Sequence, residues 1–267
     1  MQAPEVIQAD DAYFLYYSVS EFESQDSAIG VARSDTMDDG TWEDLGSTGV
    51  DSTEGSPYNA IDPSLINVDG TWYMTFGSFW ENFFQVPMDG PEKSTGTPAQ
   101  IAFDPVTTAL EGVAMLKNGD FYYLFYSKGS CCKYDAEMPA AGEEYKIMVC
   151  RSESAMGGFV DQDGTACTEG GGTVVLESHG VVYGPGGQGV YDDPTHGPVS
   201  ISLCDIAYLA NFELPRSYIT TTSTPILGMA MATSSLGGIP WTFRPGGRWF
   251  RVLAARQSHV FGMGLQR

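Results

Sequence analysis

Positive charge is scarce in this sequence: 13 lysines and arginines stand against 34 aspartates and glutamates, for a formal net charge of −21. Such a chain repels nucleic acid and anionic membrane surfaces, so neither is expected as a partner. Long apolar runs are missing too. None approaches the ~20 residues of a membrane-crossing helix, and Met1-Gln2-Ala3-Pro4 leads straight into strand-like sequence with no secretory signal visible. Five cysteines, Cys131, Cys132, Cys150, Cys167 and Cys204, show neither C-x-x-C nor zinc-finger spacing, which argues against a structural metal site. Their odd number leaves the disulfide scheme open. Only 18% of the residues are charged, whereas Gly (32), Tyr (14) and Phe (14) are plentiful, a mix that favours short strands and tight turns over helices.

What the sequence does contain is a repeat. Asp10–Ser18, Asp69–Gly77 and Asn118–Ser127 each read as a turn followed by an aromatic strand, and Asp-Gly and Asn-Gly are strong hairpin signals. A strand precedes each turn, over Glu5–Gln8, Ile61–Val68 and Gly112–Lys117. Another follows the aromatic run, over Ser27–Ser34 and Tyr145–Ser152. A spacing of roughly 50–60 residues with hairpins inside each unit predicts β-propeller blades of about four antiparallel strands. A sandwich of the same strands is the alternative. In a propeller the innermost strands line a central channel, so polar groups just before the hairpins are the candidates for chemistry.

Two carboxylates occupy that place. Asp62 lies in Tyr58-Asn59-Ala60-Ile61-Asp62-Pro63, and Glu111 in Ala109-Leu110-Glu111-Gly112. Small or apolar neighbours would desolvate both and move their pKa values. Cleavage of a glycosidic bond needs such a pair, one protonated and one ionised. Trp80 in Gly77-Ser78-Phe79-Trp80 would give a sugar ring a stacking face. The plainer readings are an Asp-Pro turn and a solvated strand-edge glutamate.

At these residues the sequence resembles a known family. Tyr58–Pro63, Gly77–Trp80, Ala109–Gly112, Glu144–Val149 and Val182–Gln188, in that order, resemble endo-1,5-α-L-arabinanases of glycoside hydrolase family 43, and Ala3-Pro4-Glu5-Val6 resembles the start of their second blade. The likeness covers residues 3 to about 198, and Cys131-Cys132 with Ala136–Gly142 resembles fungal members. It implies an all-β, five-bladed propeller, here incomplete at three to four blades, and a secreted, monomeric, inverting hydrolase of arabinan in pectin side chains. It implies Glu111 as the general acid and Asp62 as the residue that tunes and orients it. Asn59, Ala60, Ile61, Asp62, Ser78, Phe79 and Trp80 match substrate-lining positions, and Ser24, in the Val19–Ser27 loop, is a further candidate contact. The family takes its general base from an Asp in a His-Asp-Pro segment that nothing in these residues matches, so this chain is expected to be inactive or nearly so. The family often holds a central calcium ion through a histidine that does not occur here in frame, so no metal ligand and no cofactor is assigned. Alternatives are a non-catalytic arabinan-binding propeller, a protein-interaction propeller, and an exo-acting arabinofuranosidase or xylosidase of the same family.

The resemblance stops near Pro198, and the charge changes there. Residues 1–199 hold 7 Lys+Arg and 32 Asp+Glu, whereas residues 200–267 hold 6 and 2. Residues 1–198 are expected to form the partial catalytic propeller. Residues 199–267 are expected to be a poorly ordered tail from a translated intron and a shifted reading frame, since Thr233–Gly238 and Thr242–Phe250, shifted by one base, can be read as late family segments in the right order. A divergent tail is the alternative. On this reading His196 and His259 are not metal ligands, and His179 is structural.

Overall fold

The computed structural model describes residues 2–132, 134, 136–180, 182–194, 197–204 and 251–256. They form strands and turns, with no helix among them. Four sheets follow one another along the chain. The first holds β1 (Gln2–Ala9), β2 (Ala12–Ser20), β3 (Ser27–Ser34) and β4 (Glu43–Ser52) in sequence order. The second holds β5 (Ser64–Val68), β6 (Thr71–Phe76), β7 (Phe83–Asp89) and β8 (Lys93–Ser94), with β9 (Ala99–Ala102) also on β7. The third holds β10 (Leu110–Asn118), β11 (Phe121–Lys128), β12 (Lys146–Ser152) and β13 (Thr173–Leu176). The fourth pairs β14 (Gly186–Asp193) with β15 (Gly197–Cys204), and β15 in parallel with β16 (Arg251–Arg256).

Each of the first three sheets is an antiparallel meander opened by a two-residue hairpin, with Ala9 opposite Ala12, Val68 opposite Thr71 and Asn118 opposite Phe121. The turns use residues that tolerate a left-handed backbone: Asp10 (φ 51), Asp69 (φ 51) and Gly119 (φ 62). The second sheet's first strand begins at Ser64 rather than at Ile61 as the sequence suggested, because Asp62 has φ 56 and Pro63 has no N–H for the ladder.

Alternation along the strands sends side chains to both faces of each sheet, so the core lies in layers between neighbouring sheets. Tyr16, Ile29 and Val31 meet Met74, Phe76 and Val86 between the first and second. Phe83 and Ile101 meet Leu124, Met115 and Tyr126 between the second and third. Leu116, Phe125 and Ile147, with Val190 against them, fill the third layer. Each such side chain, fully buried, stabilises the fold by about 1.5–3 kcal/mol. The strand contacts run from each sheet to the next (β4 with β8, β5 with β10, β10 with β14), and no closed ring is formed among the described residues.

Cys150 bonds to Cys167, both buried, and the adjacent Cys131 and Cys132 bond to each other. Of the expected tail, residues 199–204 and 251–256 pair as strands. His196, His259, Thr233–Gly238 and Thr242–Phe250 lie outside the described residues.

Candidate active site

The site grows out of a backbone feature shared by all four sheets. At the head of each first strand sits a residue with positive φ: Ala3 (φ 41), Asp62 (φ 56), Gly112 (φ 63) and Gly187 (φ 56). In β1, β10 and β14 it coincides with a register shift, between Gln2 and Glu5, Glu111 and Ala114, and Gly186 and Gly189. The N–H turned out of the ladder needs an acceptor. From sheet one, Ser18 Oγ accepts the Asp62 N–H at 3.2 Å, and from sheet three Ser127 Oγ accepts the Gly187 N–H at 2.9 Å.

Register places Gly77 where Ser18 and Ser127 stand in their sheets. Serine does not fit there: Gly77 has φ 129, and a Cβ would lie 2.0 Å from the Asn82 carbonyl oxygen. The Gly112 N–H turns instead to the carboxylate of Asp62, donating to Oδ2 at 2.8 Å. This seats Asp62 beside Glu111, the residue before Gly112. Burial, and then the charge of Glu111, push the Asp62 carboxyl up to about 7, against the lowering effect of the Gly112 N–H.

Glu111 is held through both oxygens. Ser78 Oγ donates to Oε2 at 3.0 Å and Tyr145 Oη donates to Oε1 at 2.8 Å. Ser78 arrives on a strained loop in which Gly77, Phe79 (φ 56), Trp80 (φ 46) and Asn82 (φ 59) all have positive φ. Such backbone persists only where its surroundings fix it. Here Phe79 N donates to Leu110 O at 2.9 Å, while the fully buried Asn82 donates through Nδ2 to Thr108 O at 3.1 Å and accepts the Asp104 N–H at 3.0 Å. The loop buries Ser78 and leaves Phe79 exposed and Trp80 half-buried.

The structure therefore brings Glu111, Asp62 and Ser78 together, with Phe79 and Trp80 on the same loop. Asn59, Ala60 and Ile61 lead into Asp62 and are buried. Asn59 Oδ1 accepts from Ser27 Oγ at 2.6 Å, Ala60 N donates to Ser52 Oγ at 2.9 Å, and Ile61 O accepts the Gly77 N–H at 2.9 Å. They form the wall behind Asp62 and tie it to the Ser78 loop. Ser24 closes its own turn by accepting the Asp26 N–H at 2.8 Å. His179 Nδ1 lies 2.8 Å from Glu177 O, within its own turn. Sequence reasoning assigned no role to Tyr145, Ser18, Ser127 or Gln188. The serines could have been found by aligning the ends of the aromatic strands, whereas nothing local marks Tyr145. Among the described residues no three His, Cys, Asp or Glu side chains cluster to hold a metal. They do not by themselves make a site for the calcium that the resemblance implies, and no step below is routed through one.

Two carboxyl groups in unlike settings, one buried with a raised pKa and one held through both oxygens by hydroxyl donors, are the equipment for proton transfer at a glycosidic bond. The fold and the site thus define the class, an all-β protein with a paired-carboxyl site suited to a sugar acetal. The chain belongs to glycosyl hydrolases family 43, whose profile matches residues 2–227. It is 61% identical over 199 residues to arabinan endo-1,5-alpha-L-arabinosidase A of Aspergillus niger, covering 74% of this chain and 62% of that one. The chain thus spans somewhat under two thirds of the length of the curated relatives it matches. Among solved structures it resembles a GH43 endo-arabinanase from Bacillus licheniformis (34% identity, TM-score 0.65, 73% of this chain and 75% of that one). It also resembles a Cellvibrio cellulosa alpha-L-arabinanase complexed with arabinohexaose (29% identity, TM-score 0.65, 72% and 65%).

Proposed function

We propose that this chain is the larger part of a secreted, monomeric endo-arabinanase that cuts internal α-1,5 links of L-arabinan with inversion, on a five-bladed propeller of which residues 1–198 supply most. The observation that carries the reading is Glu111, fixed by Ser78 and Tyr145 beside the buried Asp62. Burial and the charge of Glu111 push the Asp62 carboxyl up to about 7, so that group keeps its proton up to near neutral pH. Glu111, as general acid, delivers a proton to the O5 atom that leaves as the C1–O5 bond breaks, while water attacks C1 from the opposite face and gives up its proton to the general base. Asp62, which accepts the N–H of Gly112, the residue after Glu111, orients Glu111 toward the bond. Phe79 and Trp80 offer apolar ring surface to the furanose units, and the acidic surface disfavours nucleic acid and membranes as partners.

The general base comes, on this reading, from a His-Asp-Pro segment that these 267 residues do not match. Alone, the chain is expected to hydrolyse arabinan roughly 10²–10⁴-fold more slowly than a protein that includes the base. Azide attacks without a base and should restore cleavage as β-arabinofuranosyl azide. The assignment is tested in the complete protein with linear α-1,5-arabinan. Glu111→Gln is expected to lower kcat by roughly 10²–10⁴-fold, the first-formed product should be the β-anomer, and early products should be mixed oligosaccharides. Full activity of Glu111→Gln would refute the assignment, and release of a single short product would make the action exo. The genomic DNA across Pro198 decides between an intron with a shifted frame and a divergent tail.

A further inference from the structure

Tyr145 lies just outside β12, and two contacts fix it. Its backbone N–H donates to Tyr134 Oη at 3.2 Å, and Tyr134 Oη in turn donates to Ser130 O. Its ring fills the space over Gly186, where a Cβ would come within 1.9 Å of it. Gly186 is the fourth-sheet counterpart of Glu111, the residue just before the positive-φ position. The bare glycine lets the tyrosine ring pass between two first strands and reach the carboxyl group. The phenol is a dependable donor there: burial, and then the charge of Glu111, hold its ionisation well above the usual tyrosine range.

The two hydroxyls that hold Glu111 are not equivalent. The Tyr145 O–H has its ring locked and its hydrogen committed to Oε1 at 2.8 Å. Ser78 is a free rotor that donates to a carboxylate and accepts from a carboxylic acid equally well. Protonation of Glu111 is therefore easier on Oε2, where Ser78 Oγ at 3.0 Å can reverse its role.

We propose that Tyr145 is the positioning residue for Glu111, holding Oε1 so that Oε2, on the Ser78 side, is the oxygen that hands its proton to the departing sugar. This rests on Glu111 being the general acid. In the transfer the Oε2–H bond breaks, the leaving O5 takes the proton, and the new carboxylate gains the Tyr145 hydrogen bond at full strength.

The test is Tyr145→Phe in the complete protein, which keeps the ring and its packing on Gly186. On linear arabinan kcat is expected to fall about 10–100-fold with KM changed less than about twofold. The alkaline limb of the pH–rate profile should move to higher pH, because a donor to the charged form is gone. The titratable groups facing this carboxyl are Asp62 and Tyr145 itself. On arabino-oligosaccharides carrying a 4-nitrophenyl leaving group, which departs with little proton assistance, the loss should shrink to about threefold or less. Equal losses on both substrates, or a wild-type kcat on arabinan, would overturn the positioning role. Glu111→Gln, measured alongside, separates the two ideas: if it retains activity on arabinan, the acid assignment itself has failed.

Discussion

The junctions between neighbouring sheets differ in one residue, and the difference marks where the chemistry sits. At the first and third junctions a serine at the end of an aromatic strand, Ser18 or Ser127, accepts the N–H of the next sheet's positive-φ residue. At the middle junction that serine is Gly77 and the acceptor is the carboxylate of Asp62. The same backbone need is met by a neutral hydroxyl where the junction is structural and by an ionisable group where Glu111 waits beside it. A small steric fact, the close approach of the Asn82 carbonyl to Gly77, has directed a carboxylate into the site.

The sharpest way to break this comparison is Asp62→Asn, which keeps an oxygen for the Gly112 N–H and removes the charge. If Asp62 serves the reaction, kcat on arabinan in the complete protein falls on the order of 10²-fold or more, while the urea midpoint measured below about pH 4, where the carboxyl is neutral in both states, hardly moves. Unchanged activity would reduce Asp62 to a junction acceptor like the serines. Next in size is Gly77→Ser, which places at the middle junction the residue used at the others. Its Cβ collides with backbone, so a stability loss of about 1–3 kcal/mol is expected from denaturant unfolding; a tolerated substitution would remove the steric explanation. Ser127→Ala and Ser18→Ala each orphan a backbone N–H, at about 1–3 kcal/mol. Ser127 should cost more, since it also donates to Gln188 Oε1 at 2.8 Å.

The last comparison is in pH dependence. Glu5 crosses the first junction, accepting the Leu65 N–H at 2.6 Å and the Ser64 hydroxyl at 3.1 Å, and burial pushes its carboxyl up to about 8. A carboxyl raised on folding contributes stability that is complete below its unfolded pKa and lost as pH rises through the folded one. The window therefore opens at about pH 4–5 and closes near 7 for Asp62 and 8 for Glu5. Glu5→Gln should flatten the fall in melting temperature between pH 5 and 8 without changing its value near about pH 4; an unchanged slope would show that Glu5 does not titrate in that range.

Much of the architecture could be read directly. The turn-plus-aromatic-strand repeat placed three hairpins, because two-residue turns depend on residues that accept positive φ and the alternation that follows is local. Glu111 and Asp62 were found as repeat-equivalent polar residues beside those hairpins. The start of β5 was missed by three residues because Pro63 and the Asp62 backbone interrupt a run that is otherwise strand-like. Tyr145 was missed because its neighbours in sequence say nothing of Glu111, 34 positions away. Disulfide pairing was open for the same reason: Cys150 and Cys167 meet only once the strand carrying Cys150 is packed.

The sequence by itself determined the strand periodicity, the hairpin turns, the acidic surface and the two carboxylates, since each depends on residue type and spacing alone. Tertiary structure decided which oxygen of Glu111 meets which hydroxyl, why the Asp62 carboxyl rather than a serine closes the middle junction, and that a glycine on one sheet makes room for a tyrosine of another. Those outcomes depend on distances between strands far apart in the chain, which are set only when the sheets pack against each other.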